Sequence, residues 1–98
     1  MRCYLYFVTN GEHTRIGVSS DPLRRWARGQ LVYTFELSQR DWAELYKQRL
    51  HHVLGAYRVR GGWFNVTPLQ ALQSLHNLRD QDPFNRMPIK RSTYYSTS

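Results

Sequence analysis

Aromatic and branched residues fill Tyr4–Val8, and a second such run returns at Thr14–Val18. Leu31–Leu37 alternates branched and aromatic residues with polar ones. Residues of this kind suit a pleated, half-buried surface, so three strands are predicted there. Asn10-Gly11 between the first two is a strong hairpin signal, with a loop that can run on through Glu12 and His13. Ser20, Asp21 and Pro22 offer a side-chain cap and a first-turn proline, predicting a helix over Pro22–Arg28 that stops near Gly29. Ser38-Gln39-Arg40-Asp41 has the form of a capping box. Trp42, Leu45, Tyr46, Arg49, Leu50, Val53 and Leu54 follow it at helical spacing, predicting a second helix that buries this face and ends at Gly55. Tyr57–Gly62 reads as a basic loop and Trp63–Val66 as a short strand. Thr67-Pro68 opens a last helix to about Leu78, with Leu69, Leu72, Leu75 and Leu78 toward the core. Periodicity is lost after Asp82-Pro83, and Met87–Ser98 reads as a basic arm or disordered tail. The order predicts an α+β fold, a small three-stranded antiparallel sheet flanked by helices, over 1–82, with a tail over 83–98.

A chain of 98 residues has room for one core. Its 41% hydrophobic content places it among folded rather than disordered chains. Charge adds what the pattern does not show. Fourteen Lys and Arg against seven Asp and Glu give a net charge of +7, and twelve of the fourteen are arginine. Arginine forks onto phosphate and stacks on bases, so nucleic acid is the expected partner. The single cysteine, Cys3, excludes an intrachain disulfide and a cysteine zinc site and suits a reducing compartment. No apolar run reaches the roughly 18 residues of a membrane span, and no signal-like segment opens the chain. A cytoplasmic location without a membrane partner is expected.

Several side chains carry candidate chemistry. Arg24, Arg25 and Arg28 lie on the first predicted helix. Glu44, Lys47 and His51 share a polar flank of the second. That flank reads either as a solvated stripe with one Glu–Lys pair or as a metal site displaced to Glu44. His51 and His52 point about 100° apart and do not chelate together, so one of them is expected at the surface. Arg58 and Arg60, set among glycines and rings, suit phosphate and base contacts. Trp63 and Phe64 are expected mostly in the core. Lys90-Arg91 with Tyr94-Tyr95 suit a grip on a backbone or a plain tail. No nucleotide-binding glycine loop, Ser-His-Asp elbow or Cys/His zinc spacing occurs.

Tyr6-Phe7-Val8, Arg15-Ile16-Gly17 and Asp21-Pro22-Leu23-Arg24-Arg25-Trp26, followed by Leu50-His51 and Gly61-Gly62-Trp63-Phe64, resemble the GIY-YIG nuclease superfamily. The match spans about Tyr4–Val66 and is closest to a short, phage-associated branch whose second signature often reads Lys-Ile-Gly. The resemblance implies a tyrosine that orients or deprotonates the attacking water and a first-helix arginine that stabilises the phosphate. It also implies a central-helix glutamate that holds a divalent metal. By position, Tyr6, Arg25 and His51 are the catalytic candidates, and Gly17 is the signature glycine. Two departures stand out: Lys47 takes the place of the metal-binding glutamate, and Gly62 that of an acidic residue. A lysine there removes a hard oxygen ligand and adds a repelling charge, so the metal's polarising role is lost.

The expectation is therefore binding of nucleic acid, DNA foremost, with no cofactor and with cleavage lost or strongly weakened. Arg15, Gly17, Arg24, Arg28, Lys47, Arg58 and Arg60 would make the contacts. One alternative is an active DNA endonuclease using Glu44 or another carboxylate with Mg²⁺ or Mn²⁺. The other is a phage-type inhibitor that binds a host protein with the nuclease scaffold.

Overall fold

The computed structural model describes residues 3–26, 30–81 and 89–95. In chain order it forms β1 (Cys3–Thr9), β2 (Thr14–Ser19), α1 (Pro22–Arg25), β3 (Leu31–Leu37) and α2 (Arg40–Val53). A 3-10 turn (Gly55–Tyr57) leads to β4 (Arg58–Arg60), β5 (Trp63–Phe64), α3 (Pro68–Gln81) and β6 (Ile89–Tyr94). The fold is α+β, but the predicted three-stranded sheet is corrected: among the described residues six antiparallel strands lie in the order β4-β5-β2-β1-β3-β6. The three predicted strands are the centre, β2-β1-β3. Around Gly61, whose φ of 54° is the left-handed conformation glycine tolerates, Arg58–Arg60 folds back on Trp63–Phe64. Ile89–Tyr94, in the segment expected to be an arm or tail, pairs along β3. Both additions reach an edge of the sheet, where one side of a strand stays in water and charged residues guard against further pairing.

Burial on both faces explains the dense apolar character of β1. Leu5 and Phe7 of β1, Ile16 of β2, and Phe35 and Leu37 of β3 form one core with Ala43, Tyr46 and Leu50 of α2 and Leu75 of α3. On the other face Tyr6, Val8 and Leu31 form a smaller core capped by Trp26, Trp63 and Tyr95. The predicted helix faces hold in the main, with Tyr46, Leu50, Leu54 and Leu75 buried and Trp42, Leu72 and Leu78 packed against the same core; they fail at their margins. Ala43, Tyr46 and Leu50 are the buried positions of α2, while Val53 is 49% exposed. In α3 the buried pair is Ala71 and Leu75, and Leu69 is 66% exposed. Leu50→Ala should cost about 2–5 kcal/mol, because a fully buried side chain leaves both lost transfer energy and a cavity. Urea unfolding measures it, and a change below about 1 kcal/mol would contradict this core assignment.

Local signals account for most boundaries. Asn10 Oδ1 accepts from the amides of Glu12 (3.0 Å) and His13 (2.7 Å), so the first hairpin loop runs on to His13. Asp21 caps α1 by accepting from the Arg24 amide at 3.3 Å. That helix ends at Arg25 with Trp26 already extended, short of the predicted length, and Arg28 lies outside the described residues. The predicted box before α2 does not form; Gln39 occupies the cap without a side-chain bond. A reciprocal capping box closes instead at α3, where Thr67 Oγ1 accepts from Gln70 N and Gln70 Oε1 accepts from Thr67 N. Among the described residues no helix is long and apolar enough to cross a membrane.

Candidate nucleic-acid interface

Tyr6 and Gly17 are direct register partners in β1 and β2. A Cβ on Gly17 would lie 2.5 Å from the Tyr6 hydroxyl oxygen and 2.6 Å from its Cζ, so the tyrosine ring lies on this glycine. Trp26 packs on Tyr6 at a centroid distance of 6.2 Å, and Tyr6 is 1% exposed. Tyr6 and Gly17 are thus packing partners in the smaller core. Arg24 and Arg25 are exposed on α1, immediately before Trp26.

His51 is tied to the edge of β2. Its Nε2 stands 3.0 Å from the Ile16 carbonyl oxygen. A carbonyl only accepts, so Nε2 carries the hydrogen, and in the neutral ring Nδ1 keeps its lone pair. The Ile16 amide in turn donates to the Gly62 carbonyl at 3.1 Å. Phe64 holds the imidazole edge-on, with centroids 5.0 Å apart. Arg15 and His51 flank Gly62: a Cβ there would be 3.7 Å from Arg15 Cγ and 3.7 Å from His51 Cε1. His52, the other histidine of the pair, is exposed.

Burial, above all, pushes the His51 pKa below its ordinary 6.5. The Ile16 hydrogen bond opposes this, and the positive charges of Lys47, Arg58 and Arg15 add to the lowering. With the folded pKa depressed, the unfolded chain takes up the proton first as pH falls. His51's contribution is fully present above about pH 6.5 and is lost as pH falls toward its folded pKa. Wild type should therefore lose more stability than His51→Gln between about pH 7 and 5, measured by urea unfolding. Equal losses would contradict the depressed pKa.

The carboxylate on this flank is already engaged. Glu44 accepts from Lys47 Nζ at 2.9 Å and lies 3.7 Å from Arg40 Nε. Among the described residues no group of three or more His, Cys, Asp or Glu side chains could hold a metal ion. The divalent metal implied by the resemblance does not fit this donor set. Hard cations need several oxygen ligands, whereas Glu44 is shared by Lys47 and Arg40, and His51 feels the positive charges of Lys47, Arg58 and Arg15.

Arg15 thus lies beside His51 at Gly62, Lys47 stands one turn before His51 on α2, and the charges of Lys47, Arg58 and Arg15 all act on the imidazole. Arg58 is steadied by donating Nε–H to the Gly61 carbonyl at 3.0 Å. Arg15 Nε is buried with no hydrogen-bond partner. Arg60 is exposed on β4 as the register partner of Trp63. Arg24 and Arg25 belong to α1 rather than to this group. Trp63 is the residue whose place the sequence concealed. It is half-buried over the smaller core beside Trp26, whereas its neighbour Phe64 is fully buried in the larger one. The period-two alternation of a strand was the available signal for that division. Comparison with known proteins finds no matching family model, no matching curated protein and no matching solved structure.

Proposed function

We propose that this domain binds nucleic acid where α2 meets β2 and the β4–β5 hairpin. In this reading it is a diverged GIY-YIG-like chain whose metal-dependent cleavage is lost or strongly weakened. The observation that carries the reading is the grouping of cations beside Gly61-Gly62: Arg15 meets His51 across Gly62, Arg58 is anchored on the Gly61 carbonyl, and Lys47 lies one turn before His51 on α2. Concentrated positive charge attracts a phosphodiester, and guanidinium groups match its oxygens with two parallel hydrogen bonds. Neutral His51 adds a ring without adding repulsion between cations. The net charge of +7 supplies attraction at longer range. Weakened cleavage follows from Lys47 standing where the resemblance implies a metal-binding glutamate.

Fluorescence anisotropy with labelled duplex, branched and single-stranded DNA tests the binding half. Affinity should fall steeply between about 50 and 200 mM salt. Absence of salt-sensitive binding at low ionic strength would remove the proposal. The same DNAs should survive incubation with Mg²⁺ or Mn²⁺. Cleavage abolished by Arg25→Ala would overturn the second half.

A further inference from the structure

A groove of about 460 Å³ runs between the β1–β2 loop and the β4–β5 hairpin, lined by Asn10, Glu12, His13, Val59, Arg60 and Trp63. Its walls are already organised. Asn10 Oδ1 holds the amides of Glu12 and His13, which fixes the loop wall. Trp26 meets Trp63 edge-to-face, with centroids 6.4 Å apart and planes at 83°, and Tyr6 supports Trp26 in turn. The Trp63 ring is therefore braced from the core and held to a narrow range of orientations. Val59, 49% exposed, adds an apolar side, and Arg60 adds a guanidinium.

The groove adjoins the cationic cluster, because Trp63 is the register partner of both Arg15 and Arg60. Its occupant must therefore combine a flat apolar surface with a neighbouring anion. A nucleobase on its phosphodiester strand has that combination: the base stacks on the indole, and Arg60 and Arg15 take the adjoining phosphates. Glu12, on the wall opposite Arg60, repels phosphate and so favours one direction of entry. In a paired duplex both faces of an interior base are covered by its neighbours, leaving no face for Trp63. Resting on the nucleic-acid reading above, we infer that this groove receives an unpaired nucleobase. Single-stranded or locally unpaired nucleic acid is then the substrate class of the interface.

The test compares three ligands of equal length by anisotropy: an oligothymidylate strand, an abasic strand with the same phosphates, and a duplex. Wild type should bind the oligothymidylate about ten-fold more tightly than the abasic strand, and more tightly than the duplex. Trp63→Ala should bring the oligothymidylate down to the abasic level while leaving abasic binding and its salt slope within about two-fold of wild type. Trp63→Phe should keep most of the preference. Equal, salt-dependent binding of the two strands by wild type, or preference for the duplex, overturns this inference and leaves the nucleic-acid reading standing. Salt-dependent binding to none of the three overturns both. If Trp63→Ala does not fold, the wild-type comparison decides alone.

Discussion

Gly17→Ala is expected to cost about 3 kcal/mol of stability and to lower the melting temperature by more than about 10 °C. The backbone is not the cause, since the φ of Gly17 lies outside the left-handed range and alanine can adopt it. The added methyl carbon would instead meet the Tyr6 ring at 2.5 and 2.6 Å, far inside van der Waals contact. The ring has little room to withdraw, with Trp26 packed on it and its own position 1% exposed. Tyr6→Phe should give little rescue, because the Cζ contact remains when the hydroxyl is removed. Tyr6→Ala removes the ring and opens a cavity of its own, but Gly17→Ala should then cost at least about 1 kcal/mol less than in wild type. Additive costs in this double-mutant cycle would contradict the Tyr6–Gly17 contact.

Lys47→Glu combined with Gly62→Glu is expected to weaken DNA binding on the order of 100-fold at low salt. The pair changes the site by three charge units and restores the acidic pattern that the resemblance implies. Gly62 is the position from which a side chain reaches Arg15 and His51, so its carboxylate would compete with phosphate for the same guanidinium. The new carboxylates should also raise the His51 pKa, readable as a shifted imidazole titration in NMR. Unchanged affinity would show that phosphate does not contact this surface. Metal-dependent cleavage by the double variant, absent from wild type, would show that the remaining site residues still have a working arrangement.

What was legible in the sequence follows from where each segment lies. Tyr4–Val8, Thr14–Val18 and Leu31–Leu37 announced themselves because the central strands have buried residues on both faces. Arg58-Val59-Arg60 and Lys90-Arg91-Ser92-Thr93 did not, because edge strands need only backbone pairing on one side and keep polar side chains. Along α2 the spacing gives Tyr46, Leu50 and Leu54 as buried; it fails at Val53, which meets the spacing at an exposed rim, and at Ala43, whose small side chain carries little signal. Ser38–Asp41 and Thr67–Gln70 show the same kind of ambiguity. Both have cap-forming residue types, yet only the second pair reaches the geometry for reciprocal bonds.

The candidate site was legible as residue types and only partly as an arrangement. Glu44–Lys47 spacing gave the ion pair directly, since residues three apart meet on a helix. The bond from His51 to the Ile16 carbonyl is tertiary and leaves no local trace. Nor does the stacking of Tyr6 on Gly17 appear until the register of β1 and β2 is set. Size and aromatic character send both Trp63 and Phe64 toward a core, and the structure buries Phe64 fully but Trp63 only by half. The sheet sends them to opposite faces, and that division creates the groove.

The most direct test of the nucleic-acid reading is the salt slope of DNA binding, measured for wild type and for Arg15→Gln with Lys47→Gln. A control, Arg49→Gln with Arg79→Gln, removes the same charge from helix positions that do not act on His51. The cluster variant should lose roughly 1.5 units of slope in log K against log salt, the share of two phosphate contacts, while the control keeps the wild-type slope. Equal slopes for the cluster variant and wild type, with both folded, would contradict the nucleic-acid reading.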